Sequence, residues 1–240
     1  MDHPAWTDAI ENPYLHGIHG PVTGESEGED LPVEGELPAE LFGAHLRNGP
    51  NSVHAPKNQY HWFDGDGMVH GVYFRDGSAS YRSRFVKTAG LADEAAKGES
   101  IWPGVMGPFD FDAPRHYLKD TGNTDLIWHA GSVLALWYLC GEPYRLDPRT
   151  LETLGVDDFG GKRTTTVSAH PKRDERTGEL VWFTLAEFEP PYMTYGVLDE
   201  QGALVHQVPI DLPGPRAPHD VTLTEQYTIL HGYALSNFIL

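Results

Sequence analysis

Short runs of strand-forming residues, separated by turn signals, recur along the chain from about residue 60 onward. Many short strands at a spacing of about ten residues are typical of a propeller, a sandwich or a barrel. No glycine-rich loop opens a helix, and no alternation of helix and strand indicates a parallel sheet. The sequence therefore predicts an all-β fold. The predicted strands include Met68–Phe74, Ala79–Thr88, Thr124–His129, Val133–Tyr138, Tyr144–Leu146, Thr164–Val167, Glu179–Leu185, Met193–Leu198, Ala203–Pro209 and Val221–Leu230, with short helical segments at Leu37–Gly43 and Leu91–Lys97.

The charge balance excludes some partners. With 35 acidic against 17 basic residues, the formal net charge is −18, which disfavours nucleic acid and anionic lipid as partners. The single cysteine, Cys140, excludes an internal disulfide and fits a reducing compartment. Residues 1–20 contain charges and prolines but no apolar run, so neither a signal peptide nor a membrane span is predicted there. We expect a cytoplasmic protein.

Two histidines stand in similar settings. His170 follows the strand-like run Thr164–Val167 and precedes Pro171, which disfavours the helical conformation at His170. His219 follows Pro218 and leads into another predicted strand. A single histidine is more often a hydrogen-bonded or surface residue, but two that end separate strands can reach one metal. Imidazoles suit Fe(II), Cu or Zn, and geometry decides among these metals.

Other chemistry fits the residues poorly. No serine lies in a nucleophile elbow, and Cys140, without an adjacent base, is interpreted as a small buried hydrophobic residue. The acidic stretch Asp64-Gly65-Asp66-Gly67 is similar to part of a calcium loop, but Arg75 stands where that loop needs its bidentate Glu. A structural turn is the favoured interpretation of this stretch.

A series of motifs resembles the carotenoid cleavage oxygenases, and the likeness runs in order from about Asn12 to the C-terminus. Any one of these motifs is weak, but the ordered series is specific. The motifs are Arg47-Asn48-Gly49-Pro50-Asn51, Trp62-Phe63-Asp64-Gly65-Asp66-Gly67-Met68, Tyr81–Thr88, Asn123-Thr124, His129-Ala130-Gly131, Leu134-Ala135-Leu136-Trp137, Pro143–Asp147, Ser168-Ala169-His170-Pro171 and Pro218-His219-Asp220.

The resemblance implies a seven-bladed β-propeller that holds one non-haem Fe(II) per complete propeller on four histidines. His170 matches the first ligand and His219 the second. Because members of the family are about twice as long, residues 37–240 are expected to form the N-terminal part of one propeller domain, after an extended segment at 1–36. The chain stops at Ile239-Leu240, in mid-strand by its pattern, so the third and fourth ligands are expected beyond it.

The resemblance also identifies departures from the family. A Glu that hydrogen-bonds a ligand imidazole is expected near position 138, where this chain has Tyr138; Glu142 is an alternative. Trp137 stands where the stilbene-cleaving branch has a phenol-binding Lys, which favours a polyene or apocarotenoid substrate. Phe63, Trp102 and Trp137 are the candidate substrate-binding residues, since a polyene needs an apolar, aromatic channel. A plain core role stays open for each.

The predicted function is therefore an Fe(II) dioxygenase that cleaves a conjugated C=C bond of a carotenoid or apocarotenoid with O2, giving two carbonyl products. Two alternatives stay open: a lignostilbene-type dioxygenase, and a catalytically incomplete fragment that lacks half of the iron ligands. A propeller with purely structural histidines would leave the ordered motifs unexplained. Proteins of the family often contact membranes peripherally through an apolar patch, although no such patch is clear in this sequence.

Overall fold

The structure, a computed structural model, describes residues 3–139 and 141–232. The predictions for Cys140 and for the strand end at Ile239-Leu240 lie outside the described residues. Within them the chain forms three four-stranded antiparallel sheets and one two-stranded sheet. The first sheet contains β1 (Ser26–Gly28), β2 (Gly43–Pro50), β3 (Gly67–Arg75) and β4 (Ser78–Phe85); the second contains β5 (Asp125–His129), β6 (Ser132–Leu136), β7 (Tyr144–Leu146) and β8 (Thr153–Val156).

The third sheet and the last hairpin complete the described fold. The third sheet contains β9 (Lys172–Arg173), β10 (Leu180–Leu185), β11 (Met193–Leu198) and β12 (Leu204–Ile210), and the hairpin contains β13 (Val221–Leu223) and β14 (Thr228–Leu230). One α-helix, α1 (Ala89–Lys97), and short 3-10 helices at Ala5–Ala9, Pro13–Leu15, Gly17–His19 and Trp62–Asp64 lie outside the sheets.

Turn chemistry closes the hairpins. Asp76 and Gly77, between β3 and β4, have φ angles of 49° and 74°, and Ala130 and Gly131, between β5 and β6, have φ angles of 47° and 82°. Two-residue loops with both residues at positive φ match the twist of antiparallel strands. The β3–β4 and β5–β6 hairpins therefore follow from local sequence.

The sheets pack face to face because the central strands are apolar on both sides. On β6, Val133 and Ala135 belong to the core cluster shared with the first sheet, whereas Leu134 and Leu136 belong to the cluster shared with the third. Alternation with a period of two sends successive side chains to opposite faces of a strand. The same alternation on β10 joins the third sheet to the β13–β14 hairpin. This stacking of sheets is the arrangement of propeller blades.

The predicted all-β class, and the assignment to the first half of a β-propeller of the carotenoid oxygenase type, are confirmed. The helix at Leu91–Lys97 is confirmed within α1, which Thr88 caps by accepting a bond from the Leu91 amide. The predicted strand Thr164–Val167 is wrong, because this segment makes isolated bonds rather than a ladder: the Val167 amide donates to the Gly141 carbonyl. The helical segment at Leu37–Gly43 is also wrong.

The acidic stretch Asp64–Gly67 is a structural turn. The Asp64 carboxylate accepts bonds from the backbone amides of His61 and Val105, at 3.0 and 2.8 Å. Asp66 pairs with the buried Lys119, whose ammonium also lies 2.5 Å from Glu94 of α1. The carboxylates of this turn are thus committed to holding α1 and the neighbouring loop against the first sheet.

Candidate metal centre

The two candidate ligands lie side by side. His170 is separated from β9 by Pro171 alone, and His219 is separated from β13 by Asp220 alone. Since β9 and β13 begin adjacent sheets, their entrances converge at one point. The centroids of the two imidazole rings are 5.0 Å apart, with planes inclined at 40°. The structure therefore brings His170 and His219 together, as the sequence predicts.

The backbone fixes the position of His170. The preceding Ser168 and Ala169 are fully buried, and the Ser168 amide donates to the Phe183 carbonyl on β10 at 2.9 Å. His170 has a φ of 65°, outside the right-handed helical region that its proline disfavours but in the left-handed region, which few non-glycine residues occupy. Such backbone conformations cluster at functional sites.

A carboxylate holds the His170 ring. Nδ1 of His170 lies 2.9 Å from Oδ2 of Asp125, the first residue of β5. The other carboxylate oxygen, Oδ1, accepts a bond from the Leu126 amide at 2.8 Å. Nothing in the sequence around Asp125 signals this role, because the two partners are 45 residues apart.

His219 has a different environment. Its ring packs against Tyr138, with centroids 4.5 Å apart and planes inclined at 50°. Partial loss of hydration lowers the pKa of His219, and the neighbouring His170 lowers it further. The neutral imidazole, which is the form that binds a metal, is thereby favoured.

A lysine links the two histidine segments. Nζ of Lys172 donates to the His170 carbonyl at 3.2 Å and lies 2.5 Å from Oδ1 of Asp220. Burial acts to raise the pKa of Asp220, but the hydrogen bonds from Lys172 and from the Val221 amide, together with the positive charge of Lys172, outweigh burial and lower that pKa. The residues that follow the two ligands are therefore tied to each other.

The donor set fits a divalent metal of the iron type. Two imidazoles this close can both reach one ion, because a metal–imidazole bond is about 2 Å long. Neutral nitrogen donors without a thiolate suit Fe(II), Cu or Zn. In residues 3–139 and 141–232, no third histidine, cysteine or carboxylate joins them to form a three-ligand group. The described residues thus contain the two histidines that match the first two of the four ligands implied by the resemblance.

The candidate substrate-binding residues are only partly brought together. Trp102 and Trp137 are buried and line one small cavity of about 40 Å³, well below the roughly 300 Å³ or more of a typical ligand pocket. Trp102 donates its indole N–H to the His116 carbonyl, a structural bond. Phe63 is 58% exposed and lies outside that cavity. A substrate-binding role for these residues stays a prediction.

Neither Tyr138, at the position where the resemblance predicts a glutamate, nor Glu142, the alternative, places a carboxylate beside His219. Position 138 supplies an aromatic ring, and Glu142 forms an ion pair with Arg163. The sequence therefore indicates the missing glutamate at Tyr138 but gives no sign of Asp125, the carboxylate beside the other candidate ligand, His170.

Comparison with known proteins bears on this geometry. The model of the family described as RPE65, retinal pigment epithelial membrane protein, matches residues 20–239. The chain belongs to this family, that of the carotenoid oxygenases. It is 38% identical to carotenoid 9,10(9',10')-cleavage dioxygenase 1 of Phaseolus vulgaris, over 93% of this chain and 44% of the relative.

Solved structures of the family agree with the fold. A lignostilbene dioxygenase from Pseudomonas brassicacearum matches 96% of this chain and 48% of its own, with a TM-score of 0.80 and 31% identity. A Synechocystis apocarotenoid oxygenase variant matches 88% of this chain and 47% of its own, with a TM-score of 0.75 and 32% identity. The chain thus spans about half the length of the family members it matches.

Proposed function

We propose that this chain is the N-terminal half of a non-haem Fe(II) dioxygenase that cleaves a conjugated C=C bond of a carotenoid or apocarotenoid into two carbonyl products. The observation that carries the proposal is the approach of the His170 and His219 rings to 5.0 Å at the entrances of adjacent sheets. Membership of the carotenoid oxygenase family supports it.

In this proposal His170 and His219 hold the iron through their ring nitrogens. The bound metal supplies the binding and polarisation of O2. The chain itself orients the imidazoles: Asp125 and the buried backbone before His170 set one ring, and Tyr138 sets the other. No protein acid or base is required for the cleavage, so the role of the remaining residues is to position one double bond.

The residue at position 137 favours a polyene over a phenolic stilbene. Trp137 is buried with Tyr117 and Leu118 in an apolar cluster, and it supplies no cation for a phenolate. The lignostilbene dioxygenase is nevertheless a close structural match, so a stilbene-cleaving activity is the second candidate. The two substrates are to be assayed in parallel.

The test is an activity and metal assay on the complete polypeptide that carries these residues. We expect an iron-loaded preparation to convert an apocarotenal to two carbonyl products in the presence of O2, measured by liquid chromatography, and to leave a hydroxylated stilbene largely intact. Preferential turnover of the stilbene would replace the polyene assignment with the second candidate.

Histidine variants test the iron assignment. His170→Ala and His219→Ala are each expected to abolish iron binding, measured as iron per polypeptide by elemental analysis, because each removes a nitrogen donor. His206→Ala is the control, since His206 is exposed on β12 and packs against Tyr195. Full iron content in both ligand variants would refute the proposal.

The catalytically incomplete fragment is tested on the 240-residue chain alone. Two nitrogen donors bind iron more weakly than four, so we expect this chain to bind iron reversibly and to show no turnover.

A cytoplasmic location and a peripheral membrane contact stay predictions. Within the described residues, no helix is long and apolar enough to cross a membrane.

A further inference from the structure

Asp125 is the first residue of β5, and its carboxylate also contacts the imidazole of His170. Its Oδ2 atom lies 2.9 Å from Nδ1 of His170, and its Oδ1 atom accepts the Leu126 amide at 2.8 Å. The carboxylate is therefore held at one end by the backbone of β5 and presented to the imidazole at the other. Both side chains are largely shielded from water, at 24% exposure for His170 and 32% for Asp125.

An ionised carboxylate can only accept hydrogen bonds. Its partner Nδ1 must therefore carry the hydrogen, which leaves the lone pair of a neutral imidazole on Nε2. A hydrogen bond at one ring nitrogen thus decides which nitrogen is available to a metal and in which direction it points. The left-handed backbone of His170 limits the other positions the ring can take.

The pairing is specific to one of the two ligands. His219 packs against the Tyr138 ring, and the Asp220 carboxylate is engaged with Lys172 and with the Val221 amide. Among the residues that the structure describes, Asp125 is the carboxylate that hydrogen-bonds a ligand imidazole.

We propose that Asp125 is a positioning residue that holds His170 as the Nδ1–H tautomer, with Nε2 directed to the metal. This inference rests on the proposed function for the identity of the metal site, but the tautomer is a property of the metal-free chain.

The most informative substitution is Asp125→Asn. The Leu126 amide requires an acceptor, so the amide oxygen of the new side chain would face Leu126 and its NH2 group would face His170. An NH2 donor at Nδ1 favours the Nε2–H tautomer, which blocks the nitrogen that binds the metal. The shape of the side chain is retained while the direction of the hydrogen bond is reversed.

The matched control is Asp147→Asn. The Asp147 carboxylate accepts the backbone amides of Arg149 and Thr150, each at 2.8 Å, in the turn between β7 and β8. This control makes the same chemical change in a bond to the backbone, within the same sheet, without touching either histidine.

Two measurements on the full chain test the inference. Imidazole ¹⁵N chemical shifts of the metal-free protein report the tautomer of His170; we expect Nδ1–H in the unaltered chain and in Asp147→Asn, and Nε2–H in Asp125→Asn. Anaerobic titration with Co(II), followed by its absorption bands, is expected to show affinity weaker by about 10–100-fold in Asp125→Asn only.

The outcomes are distinguishable. An unchanged tautomer and a cobalt affinity within twofold of the unaltered chain in Asp125→Asn would overturn the positioning role, as would equal losses in both variants. If the unaltered chain binds no cobalt but keeps the Nδ1–H tautomer, the metal assignment under the proposed function fails while the orientation of His170 by Asp125 stands.

Discussion

The segments that carry His170 and His219 are built by different means. Before His170 the chain is buried, hydrogen-bonded to β10 and to Gly141, and the ring is held by Asp125. His219 is exposed, and its ring is positioned through contact with Tyr138. One candidate ligand is therefore positioned by the core of the fold, whereas the other depends on side-chain packing at the surface of the described sheets.

The largest loss of stability is expected when the core beneath His170 is disrupted. Trp182 is fully buried in the same cluster as Val167 and Ala169. Trp182→Ala is expected to lower the free energy of unfolding by about 3–5 kcal/mol, because it leaves a large cavity. Urea denaturation followed by circular dichroism measures this change. Trp128→Ala is the control: Trp128 is 51% exposed, and a loss as large as that of Trp182→Ala would contradict core support of His170.

A smaller effect is expected from pH at the loop after Tyr138, whose Gly141 carbonyl also accepts the Val167 amide. Asp120 accepts the Glu142 amide and so holds the loop that follows Tyr138. Burial raises the pKa of Asp120 from 3.8 to about 7. A raised carboxyl pKa contributes stability that is complete below pH 3.8 and is lost as the pH rises through 7.

Asp120→Asn is accordingly expected to reduce the fall in stability between pH 4 and pH 8 by about 1–3 kcal/mol. Thermal unfolding across that range measures the effect. Asp147 gives the opposite sign, because hydrogen bonds from the Thr150 and Arg149 amides lower its pKa, so Asp147→Asn should reduce the loss of stability in acid. An unchanged pH profile in Asp120→Asn would show that this carboxyl does not titrate in that range.

The ion pair between Lys172 and Asp220, which links the segments carrying His170 and His219, is expected to contribute little to stability. Lys172 and Asp220 are 37% and 46% exposed, and an ion pair this open contributes at most about 1 kcal/mol. Lys172→Met should therefore leave the free energy of unfolding nearly unchanged while weakening cobalt affinity by less than about tenfold. Arg176→Met removes exposed ion pairs with Glu225 and Asp174 and should leave cobalt affinity unchanged; equal effects of the two changes on cobalt affinity would exclude the Lys172–Asp220 pair as a positioning contact.

The smallest effect is expected from Tyr138→Phe. The contact with His219 is made between rings, and phenylalanine retains the ring, so stability should change by less than about 0.5 kcal/mol. Cobalt affinity should stay within twofold, whereas Tyr138→Ala should weaken it further. If Phe and Ala weaken binding equally, the hydroxyl rather than the ring positions His219.

Local pattern predicted those elements whose residues favour one conformation. The strand Met193–Leu198 and the strand Tyr144–Leu146 have the predicted bounds, because β-branched and aromatic residues are bounded there by turns. The strand Gly43–Pro50 was missed, since its residues have low strand propensity and it is defined by pairing with β3. Thr164–Val167 is the opposite case. Its residues favour a strand, but among the described residues the structure pairs this segment with no neighbouring strand.

The candidate site, like the fold, could be predicted only in part from the sequence. His170 and His219 are indicated by their positions beside prolines and predicted strands and by the motifs of the resemblance, and the structure places their rings together. Asp125 was not found, because its role depends on how the second sheet packs against the third. Contacts between residues distant in sequence leave no local signal.

The left-handed backbone at position 170 limits how this centre could evolve. Aspartate tolerates that conformation about as well as histidine does, so the backbone alone would permit exchange of the nitrogen ligand for an oxygen ligand. Asp125, however, would then face a second negative charge across a distance that now spans only 2.9 Å. A centre with three histidines and one carboxylate at this position would thus be disfavoured while Asp125 is present, because two facing carboxylates repel unless one of them is protonated.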